Sequence, residues 1–201
     1  MATKPYQPLL LRLLHGVNSL LVILALISGY WVYNQFDGRW GKLAIPRINA
    51  MIDIHGTIGL TFFLFLPLFA IYSLTAGQRR LAGYKALGKL NQVNKPIWWV
   101  TLHRLTNTAI LLAAVLAWVS GKLMDETWLP TGQLDHAAYF AHLAGWLVLV
   151  ICLALHLLMG IKVGGTPLLL SMASVKYRPE DSPSRWPTQA KQWLADRGWL
   201  K

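Results

Sequence analysis

Residues 137–163 read AAYFAHLAGWLVLVICLALHLLMGIKV. The only formal charge in this stretch is Lys162, at its end. It exceeds the roughly 20 apolar residues that a helix needs to cross a bilayer. Two histidines, His142 and His156, interrupt it 14 positions apart. On a helix that interval is about 21 Å, and fourteen steps of 100° leave the second ring only about 40° around from the first. One face of one transmembrane helix therefore carries two imidazoles at two depths.

Working outward, three more stretches are long and apolar enough to span: about Leu9–Tyr33, Ala50–Leu74 and Ile97–Met124. The expected fold is an all-α, four-helix transmembrane bundle. Composition agrees: 55% of the 201 residues are hydrophobic and 13% charged, against roughly 25% charged in soluble domains. The mean hydropathy of +0.41 coexists with a net charge of +11, which requires the two properties to be segregated along the chain. Disordered chains, disulfide scaffolds and soluble nucleic-acid binders are excluded. The single cysteine, Cys152, lies within a span, so the chain has no disulfide, no iron–sulfur ligand set and no C-x-x-C-H attachment.

Charge placement sets the expected orientation. Only Arg39, Lys42, Arg47 and Lys122 of the 19 basic residues fall on the side of the first and third connecting loops, which leaves 15 with the termini and the middle loop. Asp37, Asp53, Asp125, Glu126 and Asp135 share that first side. The positive-inside rule then puts both termini in the cytoplasm. Ser28-Gly-Tyr-Trp31 offers no signal-peptidase site, so the first span is expected to stay uncleaved. Residues 1–166 are expected to form the membrane domain and 167–201 a cytoplasmic tail. Within that tail Pro187–Lys201, with Trp193, Leu194, Trp199 and Leu200 among Lys191, Arg197 and Lys201, suits an amphipathic surface helix. The middle loop, Gln78–Lys95, is the densest basic segment, suited to anionic lipid or an acidic redox partner.

Five of the six histidines lie inside spans, where an ionisable group is costly and marks function by default. Counted from the expected faces, His15 and His156 share an inner level, and His55 and His142 an outer one. His103 is a third inner-level candidate and could replace His15 opposite His156. Bis-imidazole ligation of two stacked haem irons needs this layout, with one helix serving both levels. Without covalent attachment the cofactor is of b type. Zinc needs a compact tetrahedral set that these levels cannot supply. Gly16, Gly56, Gly59, Gly145 and Gly160 near the histidines suit either the packing of a macrocycle or close helix contact. Arg12 and Arg104 could meet haem propionates or snorkel to lipid phosphate. Asp53 reads as an interfacial carboxylate paired with Arg47 or Lys122. His136 reads as a surface histidine, and Trp31, Trp40, Trp98, Trp99 and Trp128 as interfacial belts.

These residues together resemble the bacterial cytochrome b561 family. The resemblance is carried by Arg12-Leu-Leu-His15, His55-Gly-Thr-Ile-Gly59, Leu102-His103-Arg104 and the His142/His156 pair, over roughly Pro8 to Lys162. It implies a bacterial inner-membrane protein with His15 and His156 on the cytoplasmic-side haem and His55 and His142 on the periplasmic-side haem. It leaves His103 as a non-ligand at a quinone site. It also implies quinone-coupled electron transfer, with His103, Arg104 and Asp53 as candidates for handling protons. One branch of the family oxidises superoxide and reduces quinone; other members are cytochrome b subunits of hydrogenases or dehydrogenases. The outward side, with four basic and five acidic groups, departs from the positive mouth that a superoxide oxidase needs.

Overall fold

The computed structural model describes residues 6–196 and residue 198. Four long helices, α1 (Leu9–Phe36), α2 (Met51–Leu74), α4 (Pro96–Lys122) and α5 (Ala137–Ala173), carry the fold. A short α3 (Tyr84–Leu87) lies in the middle loop, and α6 (Trp186–Asp196) follows α5. Each long helix is apolar enough to cross a membrane. Pro96 opens α4 in its first turn, where a missing N–H costs nothing.

Packing is heaviest within two hairpins, α1 with α2 and α4 with α5, and sparser where α1 meets α5 and α2 meets α4. The helices thus form a square with α2 and α5 across a diagonal. Leu21, Phe62, Leu66, Ala113, Ala114 and Leu149, drawn from all four helices, make the central core. A second cluster of Val32, Met51, Leu129 and Tyr139 closes the end away from the termini. The outer faces are apolar too: Leu20, Leu64 and Leu112 are 59%, 61% and 66% exposed. Water would not tolerate such a surface, whereas a bilayer solvates it. The chain is a multi-pass membrane protein.

α5 runs further than the hydropathy of the fourth span suggested. Gly165 takes a left-handed φ of 65°, Pro167 follows, and helix then resumes to Ala173. The break turns the chain back onto the N-terminal segment. Arg12, 5% exposed, donates hydrogen bonds to the carbonyls of Ser174 and Lys176. Asp181 accepts from the Tyr6 hydroxyl and the Leu9 amide. Arg12 is therefore a clamp on the chain after α5, and the expectation of a propionate or lipid partner for it is corrected.

At the opposite end the loop after α1 is fastened by side-chain amides. Asn34 and Gln35 each bond both the N–H and the C=O of one loop residue, Leu43 and Ile48 respectively. Asp53 is exposed, and no ion pair joins it to Arg47 or Lys122 among the described residues. Arg47 lies over the Phe36 ring instead, so that pairing too is corrected. His136 stacks on Trp128, with centroids 3.7 Å apart. Of the expected C-terminal surface helix, Lys191, Trp193 and Leu194 fall in α6. Arg197, Trp199, Leu200 and Lys201 lie outside the described residues.

Candidate functional site: two histidine pairs

Five histidines point into the bundle at two depths. Near the termini, His15 of α1 faces His156 of α5 with ring centroids 6.1 Å apart and planes 32° from parallel. Near the opposite end, His55 of α2 faces His142 of α5 at 6.0 Å and 82°. We call these the proximal and distal pairs. Each draws one ring from each hairpin. His103 of α4 also lies at the proximal level, 5.0 Å from His156, and its Nε2 is buried without a hydrogen-bond partner.

The hydrogen bonds to the four paired rings all run to Nδ1. His142 Nδ1 lies 2.7 Å from the Ala117 carbonyl oxygen, which can only accept, so Nδ1 carries the proton and Nε2 the lone pair. His55 Nδ1 lies 2.8 Å from Ser28 Oγ, whose own proton goes to the Leu24 carbonyl at 2.7 Å; again Nδ1 is the donor. His156 Nδ1 lies 2.7 Å from Asn107 Oδ1, and the orientation of that amide follows from Nδ2 donating to the Arg80 carbonyl at 2.9 Å. His15 has the longest contact, 3.3 Å to Ser19 Oγ. Fixing Nδ1–H in this way is how proteins prepare Nε2 as a metal ligand.

Reading the sequence alone missed these partners. At the distal level a Ser-Gly dipeptide recurs on the first helix of each hairpin. Ser28 bonds His55, and a Cβ added at Gly29 would sit 3.1 Å from His55 Cε1. Ser120 lies 3.4 Å from His142 Nδ1, and a Cβ at Gly121 would sit 3.0 Å from His142 Cε1. Both glycines are absent a side chain so that an imidazole edge can take its place. The interval of 14 residues also recurs. It separates His15 from Gly29, His55 from Phe69, Asn107 from Gly121, and His142 from His156, so every helix of the square contributes at both levels. Phe69 meets His15 edge-on at 6.2 Å. The repeated dipeptide and a polar Asn107 within an apolar span were the available signals.

The glycines singled out by sequence divide. A Cβ at Gly16, Gly56 or Gly59 would meet nothing within 4 Å, so these three do not serve helix contact. Gly145 packs against the Ala117 backbone, and Gly160 against Leu169; these two serve helix contact. Arg104 is half-buried and in no ion pair among the described residues. Asp53 stands apart from both pairs.

The rim beyond the distal pair is electrostatically settled. Asp37 accepts hydrogen bonds from Arg39 Nε at 2.8 Å and the Tyr139 hydroxyl at 2.7 Å. Burial alone would raise the Asp37 pKa, but the bonds from Arg39 and Tyr139 and the Arg39 charge hold it below the ordinary 3.8. Arg39 also lies 3.8 Å from Asp135, so its charge is shared between two carboxylates.

A four-span bundle that keeps paired imidazoles at two depths, with three of the four Nδ1 protons committed, has the build of a membrane redox carrier. A family model described as prokaryotic cytochrome b561 matches residues 6–174, and the chain belongs to that family. It is accordingly a membrane b-type cytochrome of electron transfer, and membership implies haem b. A search of curated proteins and a search of solved structures gave no match.

The residues present fit that cofactor. An imidazole nitrogen binds a metal at about 2.0–2.1 Å, so two rings on opposite sides of one iron have centroids about 6 Å apart once the ring radius is added. Both pairs stand at that separation, whereas His103 is closer to His156. No group of three or more His, Cys, Asp or Glu suited to a metal ion occurs among the described residues.

Proposed function

We propose that the chain is a two-station transmembrane electron carrier. In this reading His15 and His156 hold one haem iron, His55 and His142 hold the other, and electrons pass between a quinone pool and a second redox partner. The separation of 6.0–6.1 Å within both pairs carries the reading. Held by these four histidines, haem would supply one-electron storage and would exchange electrons with partners without binding them at iron. The chain's own residues hold His55, His142 and His156 by their Nδ1 protons, keep water out with the core of Leu21, Phe62, Leu66 and Leu149, and set the two stations about 21 Å apart along α5.

A quinone at the proximal level needs protons as well as electrons. His103, with an unpartnered Nε2 at that level, is the group placed to exchange them, and the neighbouring Arg104 supplies positive charge. Asp53, exposed at the far interface, would serve a quinone only at that end. The termini are assigned to the cytoplasm of a bacterial inner membrane by the charge asymmetry of the loops. Residues 1–166 form the cytochrome domain in this reading, and 167–201 the tail.

One observation favours a second version, in which the chain is the membrane module of a larger redox complex and not an enzyme alone. Arg39 at the distal rim is already shared by Asp37 and Asp135, which weakens the positive field that an anion such as superoxide would follow. Two measurements test these readings. A reduced-minus-oxidised spectrum with haem quantitation should give a b-type band and about two haems per chain; absence of the band ends the haem assignment. Rapid mixing with superoxide and a quinone analogue should change the visible absorbance if the chain is itself the enzyme. An unchanged absorbance in loaded protein leaves the module version standing.

A further inference from the structure

We propose that Asn107 is a positioning residue for the proximal pair, and that through it the backbone of the middle loop is built into the electron-transfer site. The inference rests on the assignment of His156 as a haem ligand. Its ground is one continuous line of hydrogen bonds: His156 Nδ1 donates to Asn107 Oδ1 at 2.7 Å, and Asn107 Nδ2 donates to the Arg80 carbonyl at 2.9 Å. Both ends of the amide are committed, so Oδ1 cannot turn from the imidazole without also breaking the bond to the loop.

The loop end of this line is itself pinned. The Ala82 amide donates to Thr108 Oγ1 at 2.9 Å, one residue along α4 from Asn107. Arg80 Nη2 donates to Gln7 Oε1 at 2.8 Å, tying the loop to the segment before α1. Only one ring of the proximal pair is held this firmly, since His15 has just the 3.3 Å contact to Ser19. An acceptor on Nδ1–H draws the proton outward and makes Nε2 a stronger donor to iron, which favours the ferric state. Asn107 therefore lowers the midpoint potential of the proximal haem. A displacement of residues 78–82, such as a docked partner would cause, is felt at His156 and not at the distal pair.

The test uses the full chain with both haems bound, titrated potentiometrically. Asn107→Leu removes the acceptor at similar volume. One of the two midpoints should rise by about 59 mV, a tenfold change in the ferric-to-ferrous ratio at fixed potential, while the other stays. Asn107→Asp retains an acceptor oxygen, and the same midpoint should not rise. Both haems retained with no shift in Asn107→Leu, or equal rises in the two variants, overturns the proposal. Thr108→Val loosens the loop without touching Asn107 or His156. It should raise the same midpoint by less, and no change there removes the loop from the site. If Asn107→Leu does not accumulate, Asn107→Asp and Thr108→Val still decide. Nitrogen NMR of 15N-histidine-labelled protein stripped of cofactor should move one imidazole alone in Asn107→Asp. That readout does not depend on haem, so a failed haem assignment and a failed Asn107 contact are told apart.

Discussion

Adding one methyl group at Gly121 should weaken the distal haem and leave the proximal one intact. A Cβ there would stand 3.0 Å from Cε1 and 3.2 Å from Nδ1 of His142, whereas ordinary contact begins at 3.4 Å. In Gly121→Ala the ring must retreat by about 0.4–0.8 Å, and the retreat stretches the 2.7 Å bond from Nδ1 to the Ala117 carbonyl towards the limit of a useful hydrogen bond. Weakening that bond costs about 1 kcal/mol, and overpacking a filled site adds about 1–3 kcal/mol. A total of about 2–4 kcal/mol corresponds to roughly 30- to 700-fold weaker binding at about 1.4 kcal/mol per decade. Gly29→Ala approaches the same site from the other hairpin, with its Cβ 3.1 Å from His55 Cε1, and should act alike. The assay is titration of the stripped protein with haem, resolving two binding steps. Loss of the proximal step in either variant, or unchanged binding at both, would refute the seating role of the glycines.

Three further outcomes are expected. His142→Ala and His156→Ala should each remove one haem and spare the other, read as a ratio falling from about two to about one; loss of both from either change means the two-level assignment is wrong. Asp37→Asn should lower Tm at neutral pH by about 2–4 °C. Because folding depresses the Asp37 pKa below 3.8, its contribution is complete above that value and is lost as pH falls through the folded pKa. The difference between Asp37→Asn and the parent protein should accordingly vanish in acid, and a difference that grows with acidity contradicts the sign. Arg12→Met should cost about 2–4 kcal/mol, since it deletes charged donors to two carbonyls. Faster hydrogen exchange around residues 174–176 with an unchanged haem spectrum is the expected signature; haem loss as the first effect would instead place Arg12 at the cofactor.

The spans were legible because length and hydropathy are properties of consecutive residues, and depth follows from counting along each span. The histidine levels were legible for the same reason: His142 and His156 fix their own spacing, and the direction of each span places His15 and His55 opposite them. What holds the rings was not legible. Ser28, Ala117 and Asn107 reach their imidazoles across 27, 25 and 49 positions, and sequence alone does not say which faces of two helices meet. Arg12 was misjudged for a related reason. Its partners are backbone carbonyls after the break at Gly165, and a carbonyl has no letter in the sequence. Asp53 shows the converse error, since proximity to Arg47 and Lys122 at one interface did not make an ion pair.

The division into two hairpins has a consequence for how the molecule is assembled. Within each hairpin the helices grip one another closely, but between hairpins the contact is sparse, and both histidine pairs straddle that seam. In the proposed reading, a cofactor held by either pair would therefore also be a rivet. It would add its binding energy to that of the four-helix core and the hydrogen bonds that cross the seam, because a ligand taken up only by the joined form favours that form by mass action. Neither hairpin can make a complete site by itself, and the second to enter the membrane brings the missing half of both. If the pairs hold the cofactor as proposed, its uptake would report that the two halves of the chain have met in register.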